Sequence, residues 1–472
     1  MIGVIARKEL TELRRDGRYR LAAGLVLILL MASSLVGWRN YLDLLAQARE
    51  AAAHDYGRWG EQQPKSPHDA AHHGVYVFKT PRPLAIVDGG IEPYVGAAVL
   101  NGAHLQSEAQ YPPAQEMTAL QRFGDLSPAI VGQALLPLLV ILLSFGAFAG
   151  EREQGTLRQL LSQGVAPSSL FWGKALGIAA ALSIALAPAA LIGFVIAGAL
   201  AQPQFRADEL ARAGVMAFVY GLYLAVVLFL SLGVSARCRT SRSALIILLT
   251  FWGAAVFAAP RVLLDAGGRL YPAPSSVDYW ARVNDDWNKE AEARLEQVKN
   301  RALAEHHVDK VEDLPYDFTG VMMQSDDEAG QIATDRALTE RFGVYERQSR
   351  FLEQGAFLAP VVGVSLLSMA LSGNDLAQQR DFIRQAEEHR RDMGLRLNRY
   401  WTDHSRKDAE GWESWRFQGD AALWRSIPPF VYEPRPWTNA VADYPKALAA
   451  LALWAAGSLL FARRGASKLS EV

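Results

Sequence analysis

Three groups of residues in this 472-residue chain have the types and spacing to carry chemistry. The first is His68, Asp69, His72 and His73, where the i, i+4 spacing of His68 and His72 would suit a metal ion on one face of a helix. Pro64 and Pro67 flank the group and no further ligand stands close by in the chain, so a solvated loop is the reading adopted and no metal is assigned. The second is Gly164 with Gly173 and Lys174, a weak likeness to a phosphate-binding loop. Eight residues separate the two glycines where such a loop has four, and Ala175 stands where it needs Ser or Thr. The chain therefore offers no nucleotide site of its own. His306, His307, His389 and His404 lie in charge-rich stretches without a matching nucleophile, and no catalytic residue is assigned.

The third group is the string from Glu151 to Lys174, which opens Glu-Arg-Glu-Gln-Gly-Thr-Leu-Arg-Gln-Leu-Leu-Ser. It is a short charged hinge between two uncharged apolar runs, 128–150 and 175–201, each long enough to cross a bilayer as a helix. The hinge must then lie at a membrane surface. Glu151 and Glu153 open a helical segment, Leu157, Leu160 and Leu161 recur at helical spacing, and Gly164 and Pro167 break the pattern. Ser168 and Ser169 are placed to cap a second helix, and Lys174 to snorkel toward headgroups. The Leu ridge is expected either to sink into lipid or to be offered to a protein partner.

These residues need a membrane frame, and composition supplies one. Half the chain is hydrophobic, and 48 basic against 49 acidic residues leave a balance that argues against nucleic acid as partner. The lone cysteine, Cys238, excludes an intramolecular disulfide. The fold class expected is an all-α polytopic membrane protein with six transmembrane helices. Residues 1–20 read as a basic amphipathic helix on the membrane surface, and 21–38 as an uncleaved first span, preferred over a signal peptide because the leader is itself an organised helix. A polar lobe follows at 39–127, with a helix over 41–53 and extended character over 75–99. Spans two to five are 128–150, 175–201, 213–236 and 243–260, the hinge 151–174 joining two to three; a mainly helical domain fills 264–440; span six is 444–462, and 463–472 is a tail.

Basic residues cluster in the leader, in the hinge, at Arg237, Arg239 and Arg242, and at Arg463, Arg464 and Lys468. With six spans all of these fall on one side, which the positive-inside rule makes the cytoplasm, so both termini are inside and both inserts outside. The uncharged run 354–374 is a rival span, but its glycines, serines and Pro360 favour a buried or membrane-skimming piece of the outer domain. The close of that domain, from Ile427 through Pro428, Pro429, Pro434 and Pro436 to Trp437, reads as a stiff extended strap returning to the membrane. Spans one to five hold no ionisable acid or base, which disfavours ion-coupled transport and asks for energy from elsewhere.

The hinge resembles the cytoplasmic loop of permease subunits in ATP-binding-cassette exporters of the second type, on Glu151, Glu153, Gly155, Thr156, Leu157, Leu160, Leu161, Ser162, Pro167, Gly173 and Lys174. The span order, basic leader and large late insert resemble the branch related to gliding-motility and copper-enzyme-maturation permeases. That resemblance implies a coupling helix docking on a separate ATPase, with Glu151, Glu153, Gly155, Thr156, Leu157, Arg158, Leu160, Leu161, Ser168 and Lys174 as its surface. Gly155 would permit close approach, and Arg158 would pair with acidic groups of the ATPase. It further implies two ATPase subunits holding ATP and Mg, no cofactor in this chain, and a second permease, identical or related, against spans one, two and five. Location in the bacterial inner membrane, contact with lipid and a periplasmic partner for the outer domain complete the expectation. The alternative from another class is a membrane-anchored sensor or scaffold without transport, which leaves the hinge string unexplained.

Overall fold

A computed structural model of the chain describes residues 1–112, 115 and 126–471. The end of the lobe expected over 39–127 falls partly outside the described residues. Among these, helix dominates, and six helices are long and apolar enough to cross a membrane.

The leader forms α1 (Ile2–Arg15), and Asp16 then breaks the helix and caps the next by accepting the amide of Arg18 at 2.8 Å. That next helix, α2 (Gly17–Gly60), is one element of 44 residues, where a span and a separate helix over 41–53 were expected. Neither Gly nor Pro interrupts the sequence between Trp38 and Tyr56, so nothing stops the helix at the membrane surface. At 1.5 Å per residue it is about 66 Å long, roughly twice what the hydrocarbon core needs. Its far end carries Trp59 into the lobe.

In the lobe, α3 (Pro67–His73) leads to β1 (Val75–Phe78), which pairs antiparallel with β2 (Ala98–Asn101), Val75 opposite Asn101 and Phe78 opposite Ala98. Only the ends of the stretch expected to be extended are strand; its middle winds into short turns at Pro83–Ile86 and Glu92–Tyr94.

The second span, α4 (Pro128–Glu153), contains a wide turn at Val131–Leu135 and opens between Ser144 and Ala149. After α5 (Thr156–Ser162) come α6 (Pro167–Leu200), α7 (Arg206–Arg237) and α8 (Ser241–Leu270), the third to fifth spans. The second is the most enclosed, with 61% of its apolar window buried, whereas the first, third and fifth bury 17% each.

The appended domain is built on a long hairpin, α9 (Ser276–His306) and α10 (Phe318–Gly355), crossed by α12 (Leu376–His404). The charge periodicity over 279–305, 325–353 and 376–400 thus marks real helices. Between α10 and α12 lies α11 (Pro360–Ser372), the run 354–374 that rivalled the sixth span. At 13 residues it is about 20 Å long, too short to cross, and it is buried against the fourth and sixth spans. Ser368 and Tyr220 share a hydrogen bond of 3.0 Å, and Ser365 donates to Gln133 at 2.7 Å, so its polar side chains are met inside the bundle. Gly373, at φ +79°, ends the helix in the left-handed conformation.

A short hairpin, β3 (Lys407–Asp408) with β4 (Gly411–Trp412), α13 (Ala421–Ser426) and the irregular strap to Pro436 bring the chain back through α14 (Trp437–Ala442) to the sixth span, α15 (Pro445–Ser467). Glu353 on α10 accepts the amides of Lys446 and Ala447 at 2.7 and 3.2 Å, where helix amides lack partners and an anion is favoured. The lobe and the appended domain are one packed body. Trp59 is fully buried against Trp424 and donates to its carbonyl at 2.8 Å, while Val77 and Val99 of the sheet pack with Phe382, Ala386 and Tyr432.

Candidate functional site

The hinge, the leader and the loop before α8 meet at one end of the bundle. Two glycines on α6 make this possible: a Cβ at Gly173 would lie 2.5 Å from Ile5, and one at Gly177 would lie 2.6 Å from Cβ of Glu9. Small residues one turn apart let α1 lie directly on the third span, as in other closely packed membrane helices. Its basic residues Arg7, Lys8, Arg14 and Arg15 remain exposed, as the amphipathic pattern requires.

This seat brings Glu9 beneath Lys174. Lys174 does not snorkel: it is 3% exposed, with Nζ 3.0 Å from Glu9 and 2.8 Å from Glu151. Two carboxylates close by hold the ammonium more effectively than distant headgroups would, so Lys174 and Glu151 tie the leader to the hinge. Arg152 makes a second tie. Its guanidinium donates to the carbonyls of Cys238 and Ala236 at 2.5 and 3.0 Å, satisfying oxygens that the end of α7 leaves open. Ser235 accepts the amides of Phe148 and Ala149 at 3.0 and 3.1 Å, which lets the second span open just before the hinge.

The hinge is two short pieces. Glu151 and Glu153 close the second span's last turn, Ala149–Glu153; Gly155, at φ +72°, turns the chain; and α5 follows. The Leu ridge turns mainly toward the bundle. Leu157 is buried in the bundle core, and Leu160 and Leu161 pack against it partly buried, because core side chains are already in place to cover them. Ser168 is exposed but caps nothing: α6 begins at Pro167 behind Ala166, with the proline in the first turn. Thr156 donates to the carbonyl of Glu151 at 3.2 Å.

What the hinge presents to solvent is polar: Glu153, Gln154, Gly155, Arg158, Gln159, Ser162 and Gln163 are exposed. Glu153 accepts from Ser241 at 2.6 Å, joining this face to the basic loop where Arg239 and Arg242 are exposed. Between leader and hinge a cleft of about 500 Å³ is lined by Lys8, Glu12, Gln154, Gln159 and Gln163 among others. Of the residues singled out from the sequence, Glu153, Gly155, Arg158 and Ser168 therefore face outward, and Glu151, Leu157, Leu160, Leu161 and Lys174 build the support. Glu9, Arg152 and Ser235 were missed; only Glu9, an acid on the apolar side of a basic helix, carried a signal.

The opposite end differs in kind. Arg82 of the lobe reaches Asp208 and Glu209 of α7, each at 2.6 Å, and fully buried Arg212 lies 2.7 Å from Asp208 and donates to the carbonyls of Ala370, Leu371 and Arg435. The histidine group lies here too, and it is not a loop. His68 and His72 are on α3, and His104, from beyond β2, stands against both. Burial lowers the proton affinity of His68 and His72; for His104 burial acts the same way, but Asp326 and Asp327 outweigh it and raise the pKa to about 9.

Six apolar helices, a small-residue seat for a basic leader and a charged interspan hinge define a multi-pass membrane permease. The chain belongs to the ABC-2 family of transporter proteins: that family's model matches residues 3–276, more than half of the sequence. A second model, a domain of unknown function termed DUF3526, matches residues 277–433, the appended helical domain. The search of curated proteins found no match. Membership makes this a membrane component that works with an ABC ATPase subunit.

Proposed function

We propose that the protein is the permease half of an exporter of the bacterial inner membrane, driven by two ATPase subunits that bind the exposed polar face of Glu153–Gln163. ATP and Mg reside on those subunits, and the permease supplies no nucleotide site. The charged end with both termini is cytoplasmic, and the lobe and appended domain are outside, in agreement with the distribution of exposed basic residues. The observation that carries the reading is the hinge itself. Its polar face is exposed while its apolar face is built into the bundle through Leu157 and Lys174, so a push on α5 is delivered to the second and third spans.

A second permease, identical or related, is proposed to cover the exposed apolar side chains of spans one and five, such as Leu25, Ile28, Ile246 and Ile247. Span two, also expected there, is too enclosed to give a broad face, although spans one and five both pack on it. The outer body then either gates a substrate path or transmits force to a periplasmic partner. Co-purification from membranes with the ATPase encoded nearby tests the proposal. A stoichiometric complex with ATP hydrolysis, lost in Arg158→Glu and kept in a variant at the outer end such as Trp415→Ala, an exposed side chain that follows β4, supports it. Failure of any ATPase to co-purify would leave the anchored scaffold as the better account.

A further inference from the structure

His68 and His72 occupy successive turns of α3, which Ser66 caps through the amide of Asp69 at 3.1 Å and which is held by buried Ala70 and Ala71. His104 is brought to them by the chain after β2, in a left-handed conformation of φ +61° that a non-glycine residue adopts at a cost. Its backbone is pinned there. The amide of His104 donates to Asp327 at 2.9 Å, and its carbonyl presses on α10 so closely that a Cβ at Gly330 would lie 2.3 Å from it. One ring nitrogen from each histidine falls within 4.8 Å of the others.

The surroundings are built as well. His104 Nδ1 lies 2.6 Å from Asp326 and 3.3 Å from Asp327. Asp326 in turn accepts from the indole of Trp287 at 3.2 Å, and Asp327 from the amide side chain of Asn398 at 2.8 Å. A histidine whose second nitrogen is fixed by a carboxylate that is itself fixed is the usual arrangement around a histidine-bound metal. The spacing also fits: tetrahedral bonds of ~2.0–2.1 Å set ligand nitrogens about 3.3 Å apart, and Nε2 of His68 and Nε2 of His72 are already 3.0 Å apart.

We propose that His68, His72 and His104 bind one divalent transition-metal ion of the zinc type, with Asp326 and Asp327 positioning the third ligand. Three imidazoles select such an ion over magnesium or calcium, which take oxygen donors. The two carboxylates supply the negative charge that three neutral ligands lack. All three ligands lie within residues 3–276 and their supporting acids within 277–433, so the ion joins the lobe to the appended domain at their seam. His72 is exposed, which leaves the ion reachable from solvent and a fourth position open to water or an external ligand.

The test uses full-length protein without a polyhistidine tag, in lipid nanodiscs, stripped by chelator and titrated with Zn²⁺ or with Co²⁺ as a coloured probe. One ion per chain is expected, with a cobalt absorption band that Zn²⁺ displaces and excess Mg²⁺ does not. His72→Ala, which removes an exposed side chain and leaves the fold intact, should weaken binding about a hundredfold or more. Asp326→Asn should weaken it about tenfold with stoichiometry unchanged. His73→Ala, on the same helix but turned to Arg58, should bind as the native protein does. Absence of stoichiometric uptake, displacement by Mg²⁺, or native affinity in His72→Ala would each overturn the assignment.

Discussion

The two ends of the span bundle are both rich in charge, but they use it differently. At the hinge end Arg7, Arg14, Arg15, Arg239, Arg242, Arg463 and Arg464 are all exposed, and the buried Lys174 and Glu9, with half-buried Glu151, serve to position the hinge. At the lobe end the charges that meet the spans are inside, although the appended domain's outer helices carry exposed ones: Arg82, Glu209 and Arg212 are sealed among α7, the strap and α11, and Lys79 is paired with Glu92 at 2.5 Å. An exposed charge is cheap to keep and ready for an outside partner, whereas a buried one is held only by complete internal pairing. One end thus keeps its charged groups accessible, as the proposed docking of an ATPase there requires, and the other is covered by the chain's own inserts. The lobe and the appended domain are fastened to the fourth and sixth spans.

Breaking the sealed end should cost most. Arg212→Met removes one of the two arginines that pair with Asp208 and the donor to three carbonyls, and loss of one side of such a buried cluster typically costs about 3–5 kcal/mol. Thermal unfolding in detergent should show the largest drop of any single change discussed here. A melting temperature unchanged from the native protein would mean that the cluster is not sealed. At the other end, Gly177→Leu drives a side chain into Glu9 and Ala6 of the leader. Overpacking of this kind costs about 1–3 kcal/mol, and because the leader can lift away, the expected sign is increased proteolysis before Gly17 with the lobe and the appended domain unaffected. If the leader stays protected, the glycine seat is not what holds it.

The contrast between the ends also explains how much could be read from the sequence. Uncharged runs have few interpretations, so the six spans, the appended helices and the hinge were legible before any coordinates. The direction in which the hinge faces was not. A Leu157, Leu160, Leu161 ridge looks the same whether it meets lipid, a partner or the protein's own core, and only packing chooses. Lys174 looked like an interface anchor because its partner Glu9 stands 165 positions away. His68 and His72 looked like a solvated pair because His104 joins them only after the strand pair forms, and its acids come from α10. The charge-free spans were legible, but Arg212 lay one residue outside the expected fourth span and its burial depends on a strap more than two hundred residues on.

A subtler probe of the sealed end is Asp375, which caps α12 through the amide of Gln378 at 3.0 Å and accepts from Tyr444 at 2.9 Å. Burial raises its pKa above the ordinary 3.8, against the lowering effect of those donors and of Lys79, with Asp443 adding repulsion. A carboxyl whose folded pKa is raised takes up a proton on folding. Its contribution is most favourable below the ordinary aspartate value and falls as the pH rises from there. Asp375→Asn removes the charge and keeps one oxygen for the Gln378 amide, while its Nδ2 donates to the Tyr444 hydroxyl where the carboxylate accepted from it, so it should flatten the decline of melting temperature above about pH 4. Asp88, buried and raised in the same way, keeps part of the slope. A steeper decline in Asp375→Asn would show that the carboxylate is stabilised in place.

The smallest effect on the fold is expected where the effect on function should be greatest. Arg158 is exposed on α5, on the side away from buried Leu157, so Arg158→Glu should lower stability less than any change in the core beneath it. The same substitution reverses a charge in the middle of the polar face and should abolish binding to an ATPase whose complementary surface is acidic. Leu157→Ala makes the converse change, since it hollows the core beneath that face at a cost of about 2–5 kcal/mol while leaving every exposed group in place. Measured side by side, the two variants separate recognition from support: Arg158→Glu loses the complex with the smaller fall in melting temperature, and Leu157→Ala lowers the melting temperature first. If Arg158→Glu binds the ATPase as the native chain does, the outward face of α5 is not the docking surface, and the open end of the bundle is completed elsewhere, with Arg239 and Arg242 the next residues to reverse.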